Sequence, residues 1–228
     1  MTSPARQVAG LLGYVALFAV LLFGPAGTLR WPSAWVLLAV LFVVRGVSTV
    51  RLWRVQRRLL AERARLPLHP EQPLADRVLL IAFMASFAAL VAFAAADVWH
   101  LRLLPPVPDA WRPLGLAAFA AGWWIVHLAL EANAFAVTVV RLQDERGHAV
   151  ADTGPYRVVR HPMYAGLAPV MLGLCVWLGS TAGALLAAVP IGVLAARVVV
   201  EERLLRARLP GYADYATRVR RRLVPGVW

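Results

Sequence analysis

The chain has a single cysteine, no lysine and few acidic residues. Cys175 lies within an apolar block, so an intramolecular disulfide is impossible and a cysteine-based zinc cluster is excluded. Asp and Glu number 12 against 24 basic residues, all of them arginine, which gives a formal net charge of +12. The arginines fall mainly in segments that flank apolar blocks, where they would meet anionic lipid head groups. This placement argues against nucleic acid as a partner.

Long hydrophobic runs are abundant instead. Hydrophobic residues make up 61% of the sequence, well above the roughly 45–50% apolar usage of soluble domains. The sequence therefore predicts an integral membrane protein with an all-α fold and five to six transmembrane helices. The first apolar block lacks a small-residue cleavage site and another block follows closely, so we interpret it as a retained span and not as a signal peptide.

A span needs about 20 apolar residues, with a working range of roughly 17 to 25. Four segments before residue 141 approach this length: about Val8–Phe23, Ser33–Val50, Arg77–Trp99 and Pro113–Val140. We expect the Gly-Pro-Ala-Gly sequence at residues 24–27 to break the first. The fourth is long enough to tilt or to extend beyond the bilayer.

The remaining segments are predicted from their polarity. Residues 51–74 alternate arginine with leucine and valine and end in Pro67, Pro70 and Pro73, which fits a helix at the membrane surface. The apolar run 165–200 is too long for one crossing, and Gly179-Ser180-Thr181 near its middle predicts a tight helical hairpin. Residues 201–228 form a polar tail with roughly one surface helix.

The arginine distribution predicts the orientation. If the N-terminus is cytoplasmic, the outer segments hold only Arg30, Arg102 and Arg112. The positive-inside rule then puts residues 153–166 and the C-terminal tail together on the cytoplasmic side. The all-arginine, alanine-rich usage is typical of a high-GC bacterium, so we expect the inner (plasma) membrane.

Residues 153–166, Thr-Gly-Pro-Tyr-Arg-Val-Val-Arg-His-Pro-Met-Tyr-Ala-Gly, concentrate polar and aromatic groups between two apolar blocks. Pro155 and Pro162 bias the residue before each of them away from the helical region, so we expect an ordered, non-helical connector that ends where a helix restarts. Its Arg, His and Tyr side chains suit a ligand that carries a carboxylate, hydroxyls and a planar base. The alternative is a basic membrane-proximal loop.

Two pairs of ionisable residues are four apart and so share a helix face. Arg197 and Glu201 can pair or bracket a ligand at the end of a span. His127 and Glu131 form either a substrate-side polar patch or a buried pair that bridges helices. Charged groups at such positions are costly when they face lipid, so we expect both pairs to face the protein interior.

The order Gly154 to Gly166, an apolar hairpin, Glu201-Glu202-Arg203-Leu204-Leu205 and then Gly211-Tyr212-Ala213-Asp214-Tyr215 resembles the C-terminal signature of the isoprenylcysteine carboxyl methyltransferase family. The related phospholipid N-methyltransferases share the same general plan. The resemblance covers about residues 133–225, somewhat under half the chain. It implies a division into N-terminal transmembrane helices with a basic cytoplasmic loop, 1–132, and a cofactor-binding region, 133–228.

The resemblance implies that S-adenosylmethionine binds between the cytoplasmic connector and the helix after the hairpin. The implied cofactor-binding residues are His148, Ala149, Val150, Ala151, Tyr156, His161, Pro162, Met163, Tyr164 and Glu201. Arg197 would face the reacting group of the substrate, Glu202 or His161 would be the nearest proton acceptor for an amine or hydroxyl, and Asn133 stands where the family often has asparagine. Arg197, Glu202 and Asn133 are thus the expected catalytic residues, and no metal is expected.

The implied activity is methyl transfer to a lipophilic small molecule or lipid that enters from the bilayer, with a carboxylate preferred over an amine or hydroxyl. Membrane lipids are the other expected partners, and the sequence leaves the oligomeric state open. Two alternatives remain. A sterol-reductase-like enzyme would use NADPH, with Arg220 to Arg222 as its only candidate phosphate cluster, and a non-enzymatic membrane scaffold would use its arginines only to bind lipid.

Overall fold

The computed structural model describes residues 3–64, 72–224, 226 and 228. Within these ranges the chain forms α-helices and no strand, which confirms the all-α prediction. The helices are α1 Pro4–Ala26, α2 Pro32–Val55, α3 Arg57–Arg63, α4 Leu74–Ala96, α5 Arg112–Ala132, α6 Pro162–Leu178, α7 Thr181–Leu186, α8 Ala188–Arg208 and α9 Tyr212–Arg218. A π-helical turn, Asp97–Leu101, extends α4.

Five of the described helical segments are long and apolar enough to cross a membrane: Pro4–Ala26, Pro32–Val55, Leu74–Leu101, Asp109–Ala132 and Thr181–Arg208. α6 is also apolar but has only 17 residues, a length of about 26 Å at 1.5 Å per residue. The prediction of five to six transmembrane helices is therefore confirmed.

Two predicted helix ends were wrong. α1 runs through Gly24 and Pro25 to Ala26, because the stop is Gly27, whose left-handed backbone (φ 68°) donates its N–H to the carbonyl of Phe23. α5 ends at Ala132 and does not continue to Val140. Asn133 is extended, and its side-chain oxygen accepts the N–H of Phe135 at 2.8 Å, which directs the following backbone away from the helix.

The predicted surface helix is divided in the structure. Residues 51–55 belong to α2, and α3 begins after Gln56, whose backbone leaves the helical region. Leu52 and Leu59 are buried in the core and do not lie on a membrane surface. Pro67 and Pro70, which were expected to close this helix, lie outside the described residues.

The predicted turn of the hairpin is present, but its two legs diverge. Gly179 ends α6 in the left-handed region (φ 96°), and the Ser180 side chain caps α7 by accepting the N–H of Gly183. α6 packs mainly along α5, whereas α8 packs mainly along α4. α8 also continues to Arg208, so the first eight residues of the expected polar tail are helical and extend a span.

Glycines set the close packing of α5 on α6. A Cβ added to Gly122 would lie 2.5 Å from the carbonyl oxygen of Gly166, and one added to Gly173 would lie 2.5 Å from that of Gly115. Small residues let membrane helices approach this closely. Because the antiparallel pair is locked together, the C-terminus of α5 and the N-terminus of α6 lie at the same end of the bundle.

His127 and Glu131 bridge α5 to α2, which agrees with the predicted alternative of a buried pair between helices. His127 is buried and its Nδ1 lies 3.0 Å from the Ser48 hydroxyl, while its Nε2 lies 3.5 Å from the Glu131 carboxylate. Glu131 in turn pairs with Arg51 at 3.2 Å. These contacts join α5 to α2 and account for a structural role, while the buried His127 Nε2 forms no hydrogen bond in the described chain.

Candidate functional site

A cavity opens where α5 ends, α6 begins and α8 nears its C-terminus. The volume inside it that is open to a water-sized molecule is about 80 Å³, and the atom-free space that includes its open mouth is about 770 Å³. Its walls come from the irregular segment 133–151, from residues 156–164, from α8 and from α9. Parts of the chain that are distant in sequence thus meet at one end of the bundle.

The segment between α5 and the second connector supplies the first wall. Phe135 stacks on His148, with ring centroids 4.6 Å apart, and Gln143 holds the loop by donating to the Phe135 carbonyl at 2.8 Å. The backbone of residues 149–151 forms no hydrogen bond within the described chain. Ala149 is exposed and Val150 and Ala151 are half-buried, so their backbone groups are open to water or to a ligand.

The second connector is the predicted non-helical run. Gly154 adopts a positive φ of 55° ahead of a short 3₁₀ turn, Gly154–Arg157, and α6 restarts at Pro162. The Tyr215 hydroxyl donates to the carbonyl of Tyr156 at 2.8 Å and fixes the turn against α9. Tyr156 is buried, and its hydroxyl accepts the Asn133 side-chain amide at 3.3 Å. The prediction of an ordered connector agrees with this geometry.

Glu201 and Arg197 stand on the α8 wall of the cavity but do not pair with each other. One oxygen of Glu201 accepts the Tyr164 hydroxyl at 2.7 Å, and the other has no hydrogen bond within the described chain. Arg197 Nε pairs with Asp76 at 2.7 Å, and its Nη2 donates to the Thr138 carbonyl at 2.5 Å. Arg197 therefore anchors α8 to α4 while its side chain still lines the cavity.

Glu202 points away from the cavity, toward two arginines and a histidine. Its carboxylate accepts Arg160 Nε at 2.6 Å and Arg222 Nε at 3.1 Å, and it lies 3.2 Å from His161 Nε2. The backbone N–H groups of Arg160 and His161 also donate to the carbonyls of Arg221 and Arg222. Glu202 thus joins the second connector to the C-terminal tail.

Most of the residues predicted for the site meet around this cavity. Those that line it are Asn133, His148, Ala149, Val150, Ala151, Tyr156, His161, Met163, Tyr164, Arg197 and Glu201. Two do not. Glu202 is buried among the side chains just described, and Pro162 is the first residue of α6, where its ring sets the helix start.

Several lining residues were missed by sequence reasoning. Tyr212 and Tyr215, from the Gly-Tyr-Ala-Asp-Tyr motif, were not among the expected site residues, yet both border the cavity. Asp76, which holds Arg197, was also missed, although an acidic residue in the first turn of an apolar helix is a signal of buried function. Phe135 is in this group too and carries no distinguishing pattern in the sequence, whereas Arg160 belongs to the connector whose arginines were expected to suit a ligand.

Burial changes the ionisation of the groups in the loops around the cavity. It lowers the pKa of His148 below its usual value, so the imidazole is neutral near pH 7. Burial raises the pKa of Tyr215 to about 12 and that of Tyr212 further. The Tyr212 hydroxyl is also buried without a hydrogen-bond partner in the described chain, which leaves a neutral donor beside the cavity for a ligand.

A comparison with protein families agrees with this geometry. Residues 111–209 match the family model of phospholipid methyltransferases. This region is therefore similar to the membrane methyltransferases. The matched range runs from the start of α5 through the second connector and α6 to the end of α8, so it contains most of the cavity wall.

The match confirms the predicted resemblance to membrane methyltransferases. A methyltransferase region within a bundle of membrane-spanning helices indicates methyl transfer to a membrane substrate. Methyltransferases of this family typically use S-adenosylmethionine. No curated protein sequence matches the chain.

Proposed function

We propose that the protein transfers the methyl group of S-adenosylmethionine to the carboxylate of a lipophilic acceptor that reaches the cavity from the bilayer. The observation that carries this proposal is the cavity itself. The backbone of residues 149–151 has no hydrogen-bond partner in the described chain, and one of the two carboxylate oxygens of Glu201 is also free. Both lie at the end of the bundle where α5 ends and α6 begins. The arginine-rich ends of the helices on this side support a cytoplasmic location.

The lining groups fit the parts of this cofactor. The free backbone of residues 149–151 and the stacked rings of Phe135 and His148 suit a planar base with donors and acceptors. The free oxygen of Glu201 suits an ammonium group. The unpaired Tyr212 hydroxyl suits a carboxylate or a ribose hydroxyl.

The bound cofactor supplies a methyl group already activated on a cationic sulfonium. The residues of the chain mainly hold the two reactants near 3–3.5 Å and in line, which is worth several kcal/mol. The buried rings of Tyr156 and Tyr164 offer aromatic faces toward a cation, worth roughly 0.5–2 kcal/mol. A carboxylate oxygen then takes the methyl group, the carbon–sulfur bond breaks, and its electrons stay on sulfur.

A carboxylate acceptor suits the lining because it is ionised at neutral pH and needs no general base. Glu202, the proton acceptor expected for other substrates, is held by Arg160, Arg222 and His161 away from the cavity. Arg197 lines the cavity and its guanidinium can orient an acid group. Glu202 then acts as a positioning residue for His161 and Arg160.

A second candidate is N-methylation of a phospholipid amine, which the match to the phospholipid methyltransferase model favours. The NADPH alternative has less support, since Arg220 to Arg222 lie with Arg160 and Trp228 in a separate surface depression. The scaffold alternative does not explain why a cavity next to the membrane keeps unpaired backbone and hydroxyl groups.

Calorimetric titration of the detergent-purified chain with S-adenosylhomocysteine, the product form, tests the cofactor. We expect saturable binding. The affinity should fall about tenfold or more in Glu201→Ala and by a smaller factor in Tyr212→Phe, because each variant removes a hydrogen-bonding group next to the ligand. Asp214→Asn, an exposed change on α9, is the control. A folded parent that binds NADPH and not S-adenosylhomocysteine would contradict the proposal.

The acceptor is tested by incubation with methyl-labelled S-adenosylmethionine and a panel of a long-chain fatty acid, an S-prenyl cysteine and phosphatidylethanolamine. A methyl ester releases labelled methanol in mild alkali, whereas an N-methyl group does not. Alkali-labile product supports carboxyl methylation. Alkali-stable product on phosphatidylethanolamine would replace it with the second candidate.

A further inference from the structure

Two arginines beside the cavity lack an acidic partner. Other arginines of the interior are paired, as Arg197 is with Asp76 at 2.7 Å and Arg160 with Glu202 at 2.6 Å. Arg45 and Arg63 form no ion pair with any residue that the structure describes. A cation kept inside a membrane protein without a counterion is a marker of a ligand site.

Arg45 is held between helices and does not reach toward lipid. Its guanidinium lies 5.0 Å from the ring centre of Tyr14 on α1 and 4.9 Å from that of Trp123 on α5. Arg45 Nε and Trp123 Nε1 are both buried without a hydrogen-bond partner. Both donors are sealed from solvent and lack an acceptor in the described chain, and an anionic oxygen is a partner that fits them.

Arg63 connects this position to the cavity. Its Nη1 donates to the Ala136 carbonyl at 2.6 Å and lies 3.9 Å from Met163 Sδ, and both of those residues line the cavity. Burial, together with the nearby Arg45, lowers the pKa of Arg63 to about 10, so it stays charged at neutral pH. The two guanidiniums repel each other and gain most from a shared anion.

The two arginines lie on the membrane side of the cavity. Trp123 follows Gly122, which packs directly on Gly166, and Gly166 is two residues beyond Tyr164 in the cavity wall. The Arg45 site is therefore roughly one helical turn deeper than the cavity.

We propose that Arg45 and Arg63 bind the acid group, carboxylate or phosphate, of an amphiphilic acceptor on its way into the cavity. This proposal rests on the proposed function, because it specifies which acid group of the methyl acceptor the protein recognises. With a fatty or prenylated acid, the bound carboxylate is also the group that takes the methyl. With a phospholipid, the arginines hold the phosphate and the amine reacts.

Binding of radiolabelled palmitate, dodecyl phosphate and dodecanol to the full chain in maltoside micelles tests the site. Arg45→Gln and Arg63→Gln remove the two charges. Arg54→Gln on α2 and Arg58→Gln on α3 are matched controls, because both side chains are exposed and lie on the same two helices. Arg63→Lys keeps the charge and checks that the site survives a change of shape.

We expect one of the anionic probes to bind the parent and to lose about tenfold or more in affinity in each of the two test variants. The controls should stay within about twofold, and Arg63→Lys should retain most of the binding because the charge remains. Preference for palmitate over dodecyl phosphate indicates a carboxylate acceptor, and the reverse preference a phospholipid.

The proposal would be overturned if dodecanol bound as tightly as the anionic probes. It would also be overturned if anion binding were unchanged in both test variants. The affinity for S-adenosylhomocysteine is measured in the same preparations and should change by less than about threefold in Arg45→Gln, because the rings that Arg45 contacts do not line the cavity. Absence of S-adenosylhomocysteine binding in the parent, with anion binding intact, would overturn the proposed function instead and leave the anion site standing.

Discussion

Single residues at the base of the cavity stabilise the fold and also position the side chains that line the cavity. The Asp76 carboxylate is fully buried and accepts the N–H of Val140 at 2.9 Å, the Gln72 amide at 2.7 Å and Arg197 Nε at 2.7 Å. It therefore joins α4, α8 and the irregular segment that follows α5. A buried pair of this kind is not by itself a source of stability, but removal of one partner leaves the other charge uncompensated.

Asp76→Asn should lower the free energy of unfolding by about 3–5 kcal/mol, because Arg197 then stays buried without its counterion. Titration with a denaturing detergent in mixed micelles measures this loss. Asp109→Asn is the control, since Asp109 pairs with Arg112 at 3.0 Å but is 92% exposed, and such a pair contributes about 1 kcal/mol or less. Equal losses in the two variants would contradict a buried role for Asp76.

At the scale of elements, the glycine contact between α5 and α6 determines where the site residues stand. α6 begins at Pro162, directly after His161, and carries Met163 and Tyr164 in its first turn. These residues reach the cavity only because α6 lies against α5 at Gly122 and Gly166. A change in the distance between the helices therefore moves the cavity wall.

Gly122→Ala should lower the free energy of unfolding by about 1–3 kcal/mol, because the new Cβ would overlap the Gly166 carbonyl and force the helices apart. It should also weaken S-adenosylhomocysteine binding in the calorimeter. Gly192→Ala on α8 is the matched control, with no atom within 4 Å of its added Cβ. If the control loses as much affinity, the effect comes from glycine flexibility and not from the contact.

For the whole molecule, stability should fall as the pH falls below about 7. The pKa of His148 is lowered in the folded chain by burial, against an unfolded value near 6.5. As the pH decreases through 6.5 the unfolded state takes up the proton first, so protonation favours unfolding. This window lies above the range in which carboxylates titrate.

The thermal unfolding midpoint in detergent, measured from pH 7.5 to 5.5, should therefore decrease more for the parent than for His148→Gln, which cannot take up this proton. The variant's own midpoint at pH 7.5 is the reference for any loss of packing against Phe135. Parallel curves for the two proteins would exclude His148 as a source of the pH dependence.

The sequence by itself determined the class of the protein and most of the residues of its site. Long apolar runs indicated the spans, and the polar connector between them, with its two prolines and its spacing to Glu201, predicted a cofactor region that stays a prediction. Eleven of the residues expected for the site meet around one cavity. The division at residue 132 stays a prediction.

The tertiary structure decided which way each charged side chain faces. Glu201 and Glu202 are adjacent in sequence, yet α8 turns one into the cavity and the other toward Arg160 and Arg222. Arg197 pairs with Asp76, 121 residues earlier in the chain, and not with Glu201 four residues away. Spacing gives the face of a helix, but only the packing of distant helices determines which partner meets that face.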